Sequence, residues 1–351
     1  GYFGGGYSPS FYSTIDRLDF SNETVTTPSS KLSTGKRELA ATSSSSYGYF
    51  GGGIPGAIST IDRLDFSNET VSTPSPKLSS AKYSLAATSS SSYGYFGGGI
   101  SPSVSTIDRL DFSNETVSTP SPKLSTSKSY FAAVSGGQSV LRGNKTYGYF
   151  GGGFSPASTP NYSSSIDRLD FSNETVTTPS PKLSAVKAYL AATSSSSYGY
   201  FGGGYSPANI STIDRLDFSN ETVSTPSPKL SGEKRDLTAT SSSSYGYFGG
   251  GNNPIVTSSI DRLDFSNETV STPSPKLSTA KYSLAASSSS SYGYFGGGFI
   301  APYISTIDRL DFSNETVTTP SPKLSTAKYS LAATSSSSYG YFGGGYSPAN
   351  I

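Results

Sequence analysis

Residues 93–116 read YGYFGGGISPSVSTIDRLDFSNET, and this stretch decides the fold. Tyr93 and Tyr95 alternate with Phe96 across a short extended segment that ends in Gly97, Gly98 and Gly99, where backbones can approach closely. After a loop, Ile107, Arg109 and Asp111 share one side of a second segment while Asp108, Leu110 and Phe112 share the other. Apolar groups on both sides imply a sheet covered on both faces. Working outward, residues 84–88 read as strand A, 93–98 as strand B, 105–112 as strand C and 116–119 as strand D. Serines at 89–92 and the Ser-Asn-Glu turn at 113–115 separate them, and Pro120 and Pro122 close the unit.

The string Ile-Asp-Arg-Leu-Asp-Phe-Ser-Asn-Glu-Thr starts at Ile15, Ile61, Ile107, Ile166, Ile213, Ile260 and Ile307, at spacings of 46, 46, 59, 47, 47 and 47. A period of this size built from strands and turns predicts the blades of a propeller rather than a helical solenoid. The expected architecture is all-β: a seven-bladed β-propeller of four-stranded antiparallel blades, one domain over residues 1–351, closed between N- and C-terminal strands. Strand A, with its small Ser-Leu-Ala-Ala-Thr side chains, suits the crowded axis. Strand D, short and followed by Pro, suits an outer edge. Closure leaves one copy of strand B in surplus, because residues 1–6 and 340–345 are alike and compete for one place. Together with the absence of an initiating Met, this is read as an excerpt of a longer array, or as a terminal copy that pairs with another subunit.

Tyr-Phe-Gly-Gly-Gly, then Ile-x-x-Leu-Asp, then a polar turn and a Pro-containing link, resembles the kelch repeat over essentially the whole chain. Gly97 and Gly98, with Gly51, Gly52, Gly202 and Gly203, match the kelch glycines, and Leu110-Asp111 stands where kelch units carry Tyr-Asp. Val25, Val71 and Val117 replace the Trp usual in strand D. The tandem GYFGGG, STIDRLDFSNET and LAAT phrases are similar to kelch-like repeat proteins of marine bacteriophages, notably cyanophages, and of some marine bacteria. The resemblance implies a virion or surface protein.

Composition narrows the chemistry. Histidine, cysteine, methionine and tryptophan are absent, which removes imidazole and thiolate catalysis, disulfides and Cys/His metal sites. A net charge of +1 gives no field to attract nucleic acid. No apolar run nears the ~18 residues of a membrane span. No enzyme activity, cofactor or metal is expected. Ser-x-x-Lys recurs at Ser33/Lys36, Ser79/Lys82, Ser125/Lys128, Ser184/Lys187, Ser231/Lys234, Ser278/Lys281 and Ser325/Lys328, the spacing of penicillin-interacting enzymes. The companion Ser-Asp-Asn and Lys-Thr-Gly elements are missing, so the motif reads as a repeated surface linker. Asp16 and Asp19 point to opposite faces, and their repeats suit a structural ion-pair network of Arg17 with Asp19, Arg63 with Asp65 and Arg109 with Asp111. Asn22-Glu23-Thr24 and its copies match a glycosylation acceptor, and a tight turn explains them without sugar. The glycines at 51–53 lack the Lys-Ser/Thr and helix of a phosphate loop.

Variation within the chain is the functional signal. Strands B and C are almost copied, whereas the B–C loops (residues 7–12, 54–58, 100–104, 154–164, 205–210, 252–257 and 299–304) differ. Alternating strand direction puts these loops and the D–A links on one face of the disc. Candidate contact residues there are Tyr7, Phe11, Tyr12, Ile54, Ile100, Phe154, Tyr162, Tyr205, Ile255, Phe299 and Tyr303. On the opposite, Ser-rich face one insert, with Gln138, Arg142 and Lys145, reads as a docking tab. The expectation is a non-enzymatic structural or adhesive module of a virion or cell exterior, binding other surface proteins, further copies of itself in an oligomer or filament, or a host glycan or receptor. The competing class is a secreted carbohydrate-binding or carbohydrate-processing propeller. Its mark would be carboxylates at the centre of one face, and outside the repeated Asp pair only Glu38, Glu233 and Asp236 in the variable links offer them.

Overall fold

A computed structural model describes residues 9–100, 102, 104–138, 145–156, 161–300, 303–321 and 323–348. Seven four-stranded antiparallel sheets form the blades of a β-propeller. Blade 2 shows the pattern: strand A is Ala86–Ser89, B Tyr93–Gly97, C Ile107–Asp111 and D Val117–Ser118. Strand D is a two-residue edge, shorter than its Val/Thr content predicts, because it pairs with strand C only at Arg109↔Ser118 and Leu110↔Val117. The ring closes as expected. Blade 7 takes strands A and B from Ala332–Ser335 and Tyr339–Gly343, and strands C and D from Ile15–Asp19 and Val25–Thr26. Tyr339–Gly343 therefore fills the contested place, and residues 1–6 lie outside the described residues.

Every blade buries both faces against its neighbours. Ala40, Tyr49 and Ile61 of blade 1 form one core with Leu85, Phe96 and Leu110 of blade 2. Between blades the rings stack: Tyr49 lies 5.3 Å from Phe112 and Tyr95 5.0 Å from Phe171, with planes 10° apart in both. The blades meet so closely that a Cβ on Gly51 would come within 2.7 Å of the Phe96 ring. Gly98 adopts φ +59°, and a side chain there would sit 2.4 Å from the Lys128 carbonyl.

Two sets of ion pairs correct the sequence reading. The lysine of Ser-x-x-Lys is not on a surface linker: Lys36, Lys82, Lys128, Lys187, Lys234, Lys281 and Lys328 are buried, pairing with Asp62, Asp108, Asp167, Asp214, Asp261, Asp308 and Asp16 at 2.6–2.9 Å. The motif's serine helps, since the Ser184 amide donates to the same Asp214 at 3.2 Å and Thr225 adds a hydroxyl at 2.7 Å. Each link, lying over one blade's B–C loop, is thus stapled into the next blade. Burial pushes the ammonium groups of Lys36, Lys82, Lys128, Lys187, Lys281 and Lys328 below the usual lysine range, while the facing aspartate pulls them back.

Nor do Arg17, Arg63 and Arg109 pair with Asp19, Asp65 and Asp111. Each arginine crosses to the next blade, Arg17 to Glu69, Arg63 to Glu115 and Arg109 to Glu174, and the set closes with Arg309 on Glu23. Two residues along a strand put Arg and Asp on one face, yet the Asp at the strand's end turns back to cap its own turn. Asp111 accepts from the Ser113 amide at 2.8 Å and the Ser113 hydroxyl at 2.6 Å. The sequon asparagines do the same, Asn114 accepting from the Thr116 amide at 3.0 Å and hydroxyl at 2.7 Å.

Removing one partner of a buried pair strands the other charge. Lys187→Met should lower unfolding free energy by about 3–5 kcal/mol, and the double change Lys187→Met/Asp214→Leu should recover most of that loss. Denaturant titration of the two variants checks it, and an equal loss in both would contradict the pairing.

Candidate functional site

The residue before each strand-A leucine or phenylalanine sits at the mouth of the central channel. Glu38, Ser84, Tyr130, Tyr189, Asp236, Ser283 and Ser330 all take positive φ, between 51° and 57°. Each donates its amide to the carbonyl of the preceding one, Ser84 to Glu38 at 2.8 Å and Tyr189 to Tyr130 at 2.8 Å, and Glu38 closes the cycle on Ser330 at 3.1 Å. This ring of backbone bonds circles a cavity of about 480 Å³ floored by Leu39, Leu85, Phe131, Leu190, Leu237, Leu284 and Leu331. Deeper along the axis, Ala41, Thr42, Ser43 and their counterparts line a separate polar channel of about 350 Å³.

The rim is where sevenfold copying fails. Between the buried lysine and the leucine or phenylalanine, the repeats read Arg37-Glu38, Tyr83-Ser84, Ser129-Tyr130, Ala188-Tyr189, Arg235-Asp236, Tyr282-Ser283 and Tyr329-Ser330. The first residue of each pair bridges, strand-like, to the start of a B–C loop: Arg37↔Ile54, Tyr83↔Ile100, Ser129↔Phe154, Ala188↔Tyr205 and Tyr282↔Phe299. Loop and link therefore form one surface. Sequence reasoning singled out the loops and, of these dipeptides, only Glu38 and Asp236 as carboxylates, although the variation of all seven beside the unvarying lysine was the available signal.

Most of the loop residues expected to make contacts gather into two aromatic groups. Phe11 meets Tyr346 at 5.4 Å, Tyr329 meets Phe299 at 5.2 Å, and Tyr303 stacks on Tyr329 at 5.5 Å. Arg37 lies over Tyr346 at 4.4 Å. Across the disc, Tyr162 touches Phe154 and Tyr205, both at 5.8 Å, and Arg235 lies over Tyr205 at 4.7 Å. Tyr346 is buried and the other rings are half-buried against one another rather than fully presented. Tyr12 serves the closure, its carbonyl accepting from the Lys36 amide at 3.1 Å. Ile54 and Ile100 hold their bridges, and Ile255 stands 79% exposed. Tyr7 lies outside the described residues, as does Arg142 of the insert. The insert lengthens strands A and B of blade 3 to Ala132–Gln138 and Lys145–Gly151, with Gln138 opposite Lys145, at the end of the blade away from the aromatic groups.

Two of the three link carboxylates reach the rim. Glu38 accepts from the Ser84 hydroxyl at 2.6 Å and the Tyr130 hydroxyl at 3.3 Å, with Arg37 Nε 3.5 Å away. Among the described residues Asp236 makes one ion pair, with Arg235 Nε at 3.6 Å, and burial pushes its carboxyl up to about 6. Glu233 is exposed beside Ile255 and Val256, away from the axis. Tyr130 and Tyr189 pack together with ring centres 4.5 Å apart, and burial pushes the Tyr130 hydroxyl up to about 12. The rim thus offers carboxylates, hydroxyls and aromatic faces. Among the described residues, no group of three or more Asp or Glu is placed to hold a metal ion.

No protein-family model matches the chain, and no curated protein matches its sequence. Among solved structures, that of YjhT is similar over 81% of this chain and 97% of its own, with a TM-score of 0.61 and 11% identity. At that identity the likeness is one of fold, and it agrees with the propeller.

Asp236 gives a measurable signature. A folded value near 6 against 3.8 unfolded means that the native chain holds more protons between those values, so its stability falls as pH rises through that window. Asp236→Asn should therefore raise the unfolding midpoint at pH 7.5, by roughly 3 kcal/mol in stability, and leave it unchanged below pH 4. Thermal melts at both pH values test this, and no gain at pH 7.5 would contradict it.

Proposed function

We propose that this chain is a non-catalytic structural or adhesive module of a virion or cell exterior, binding its partner through the face that carries the B–C loops and the link dipeptides. One observation carries the reading. In a chain that copies its strands, staples and turns blade after blade, most of the differences gather on one surface, and the residues placed there include Tyr, Phe and Arg beside Ile, Asn, Ser and Ala, and Tyr and Arg are enriched in binding hot spots. The propeller supplies a rigid base for such loops. The exterior location is supported by the resemblance of the repeats to kelch-like proteins of marine phages. Its partners would be other virion or surface proteins, further copies of this chain, or a host glycan or receptor, and the blade-3 insert would be a second docking point on the opposite face.

A carbohydrate-processing propeller is the second reading, and it too has an observation behind it. Glu38 and Asp236 stand on one rim in unlike surroundings, the first accepting two hydroxyl hydrogen bonds and the second none from the described residues, its carboxyl pushed up to about 6, as paired carboxylates in glycosidases are held apart.

Truncating two half-buried anchors separates these readings. Tyr162→Ala with Tyr205→Ala should weaken capture of cells or particles at least 30-fold, about 2 kcal/mol, with strand content unchanged by circular dichroism. Release of reducing sugar from host glycans by the unmodified chain, lost in Asp236→Asn, would replace the adhesive reading with the enzymatic one.

A further inference from the structure

The cavity at the axis has a lining whose chemistry is one-sided. All seven rim amides are committed to one another within the ring of backbone bonds, so none points inward to receive an anion. What faces the cavity is two carboxylates, serine and tyrosine hydroxyls, and the paired rings of Tyr130 and Tyr189. The seven rim positions themselves contain no cation. The two arginines one residue back hold their guanidinium groups over Tyr346 and Tyr205, and approach the carboxylates only through Nε at 3.5 and 3.6 Å. Around the ring Asp236 stands four steps from Glu38 in one direction and three in the other, so the two residues lie on opposite sides of the axis, with the Glu38 carboxylate held by the Ser84 and Tyr130 hydroxyls. Steps of roughly 5 Å, the spacing of neighbouring strands, make that ring roughly 11 Å across. The volume, about 480 Å³, is that of a small-molecule pocket.

We propose that the axial cavity binds an alkylammonium group between Glu38 and Asp236, against the Tyr130–Tyr189 pair. The inference rests on the reading of this face as the binding face and adds a ligand class to it. An ammonium supplies the donors that the rim lacks: it hydrogen-bonds carboxylate and serine oxygens, and its charge is favoured over tyrosine faces. Asp236 is the more demanding of the two acids. It takes no hydrogen bond from the described residues, and the titratable groups acting on it are Arg235 from its own link, Tyr189 from the preceding blade and Tyr282 from the following one. A bound cation would give Asp236 the hydrogen-bond donor that the described residues do not supply. The ammonium belongs either to a free diamine or to a lysine side chain of the docked partner.

Titration calorimetry of the full chain tests the proposal with three probes: 1,5-diaminopentane, Nα-acetyl-lysine amide and the uncharged pentane-1,5-diol. At pH 7.5 at least one ammonium probe should bind tenfold or more tighter than the diol. Stronger binding of the diamine identifies a free ligand, and stronger binding of the lysine amide identifies a partner's side chain. Because Asp236 titrates near 6, lowering the pH to 5.0 should cost about tenfold in affinity, an arm that needs no variant. Asp236→Asn should abolish that pH dependence, and Glu38→Gln should weaken binding at both pH values. Equal binding of the diol, ammonium binding that survives both substitutions, or no binding of any probe at 10 mM would overturn the proposal. Should the Tyr162/Tyr205 variant still lose capture while no probe binds, the cavity proposal alone fails and the loop-face reading stands.

Discussion

A lysine ammonium buried against an aspartate is the interaction on which the rest of the structure depends. Each such lysine leaves a connecting link that lies over one blade and reaches into the next, where the charge has no water to fall back on and must meet its partner. The link is thereby fixed in position. With the link fixed, the residue two places on is held at the channel mouth in a left-handed conformation, and its amide closes on the neighbouring blade's link. The cavity and its rim are consequences of that anchoring.

A second choice follows the same logic on the opposite face. The C–D turn of every blade holds a glutamate at φ near 60°, where asparagine or glycine is locally easier. Glutamate is used because its carboxylate reaches the arginine of the preceding blade, and that arginine lies over its own blade's tyrosine, as Arg109 does over Tyr93 at 4.8 Å. Strain of this kind persists where surrounding contacts over-determine it. Between the lysine staples and this outer girdle, aromatic stacking fills the space. The seam of blade 7, where the two ends of the chain meet, carries the same contacts as every other seam: Lys328 on Asp16, Arg309 on Glu23 and Tyr294 on Phe20.

The repeats are alike because the seams are alike, and this explains where the repeats are free to differ. A change in Tyr95, Phe112 or Lys128 would break one of seven equivalent contacts, whereas Arg37-Glu38 or Tyr205 touches only the variable surface. That freedom gives the rim of one face two arginines, two acids and an uneven aromatic border on a base that is otherwise sevenfold.

Alternation of side chains in YGYF and IDRLD, the glycine stops and the period of the repeat determined the blade, its strands and the number of blades, because these are local properties with one packing solution. The loop face was legible too, since strand direction alone assigns it. Partners were not. Arg109 has an aspartate two residues away and a glutamate 65 residues away, and it takes the second because the blades are stacked side by side. The lysine of Ser-x-x-Lys looked solvated until the neighbouring blade enclosed it. Glu38 and Asp236 are 198 residues apart in the chain and share a rim only because seven links converge on one axis, a convergence that ring closure in three dimensions creates.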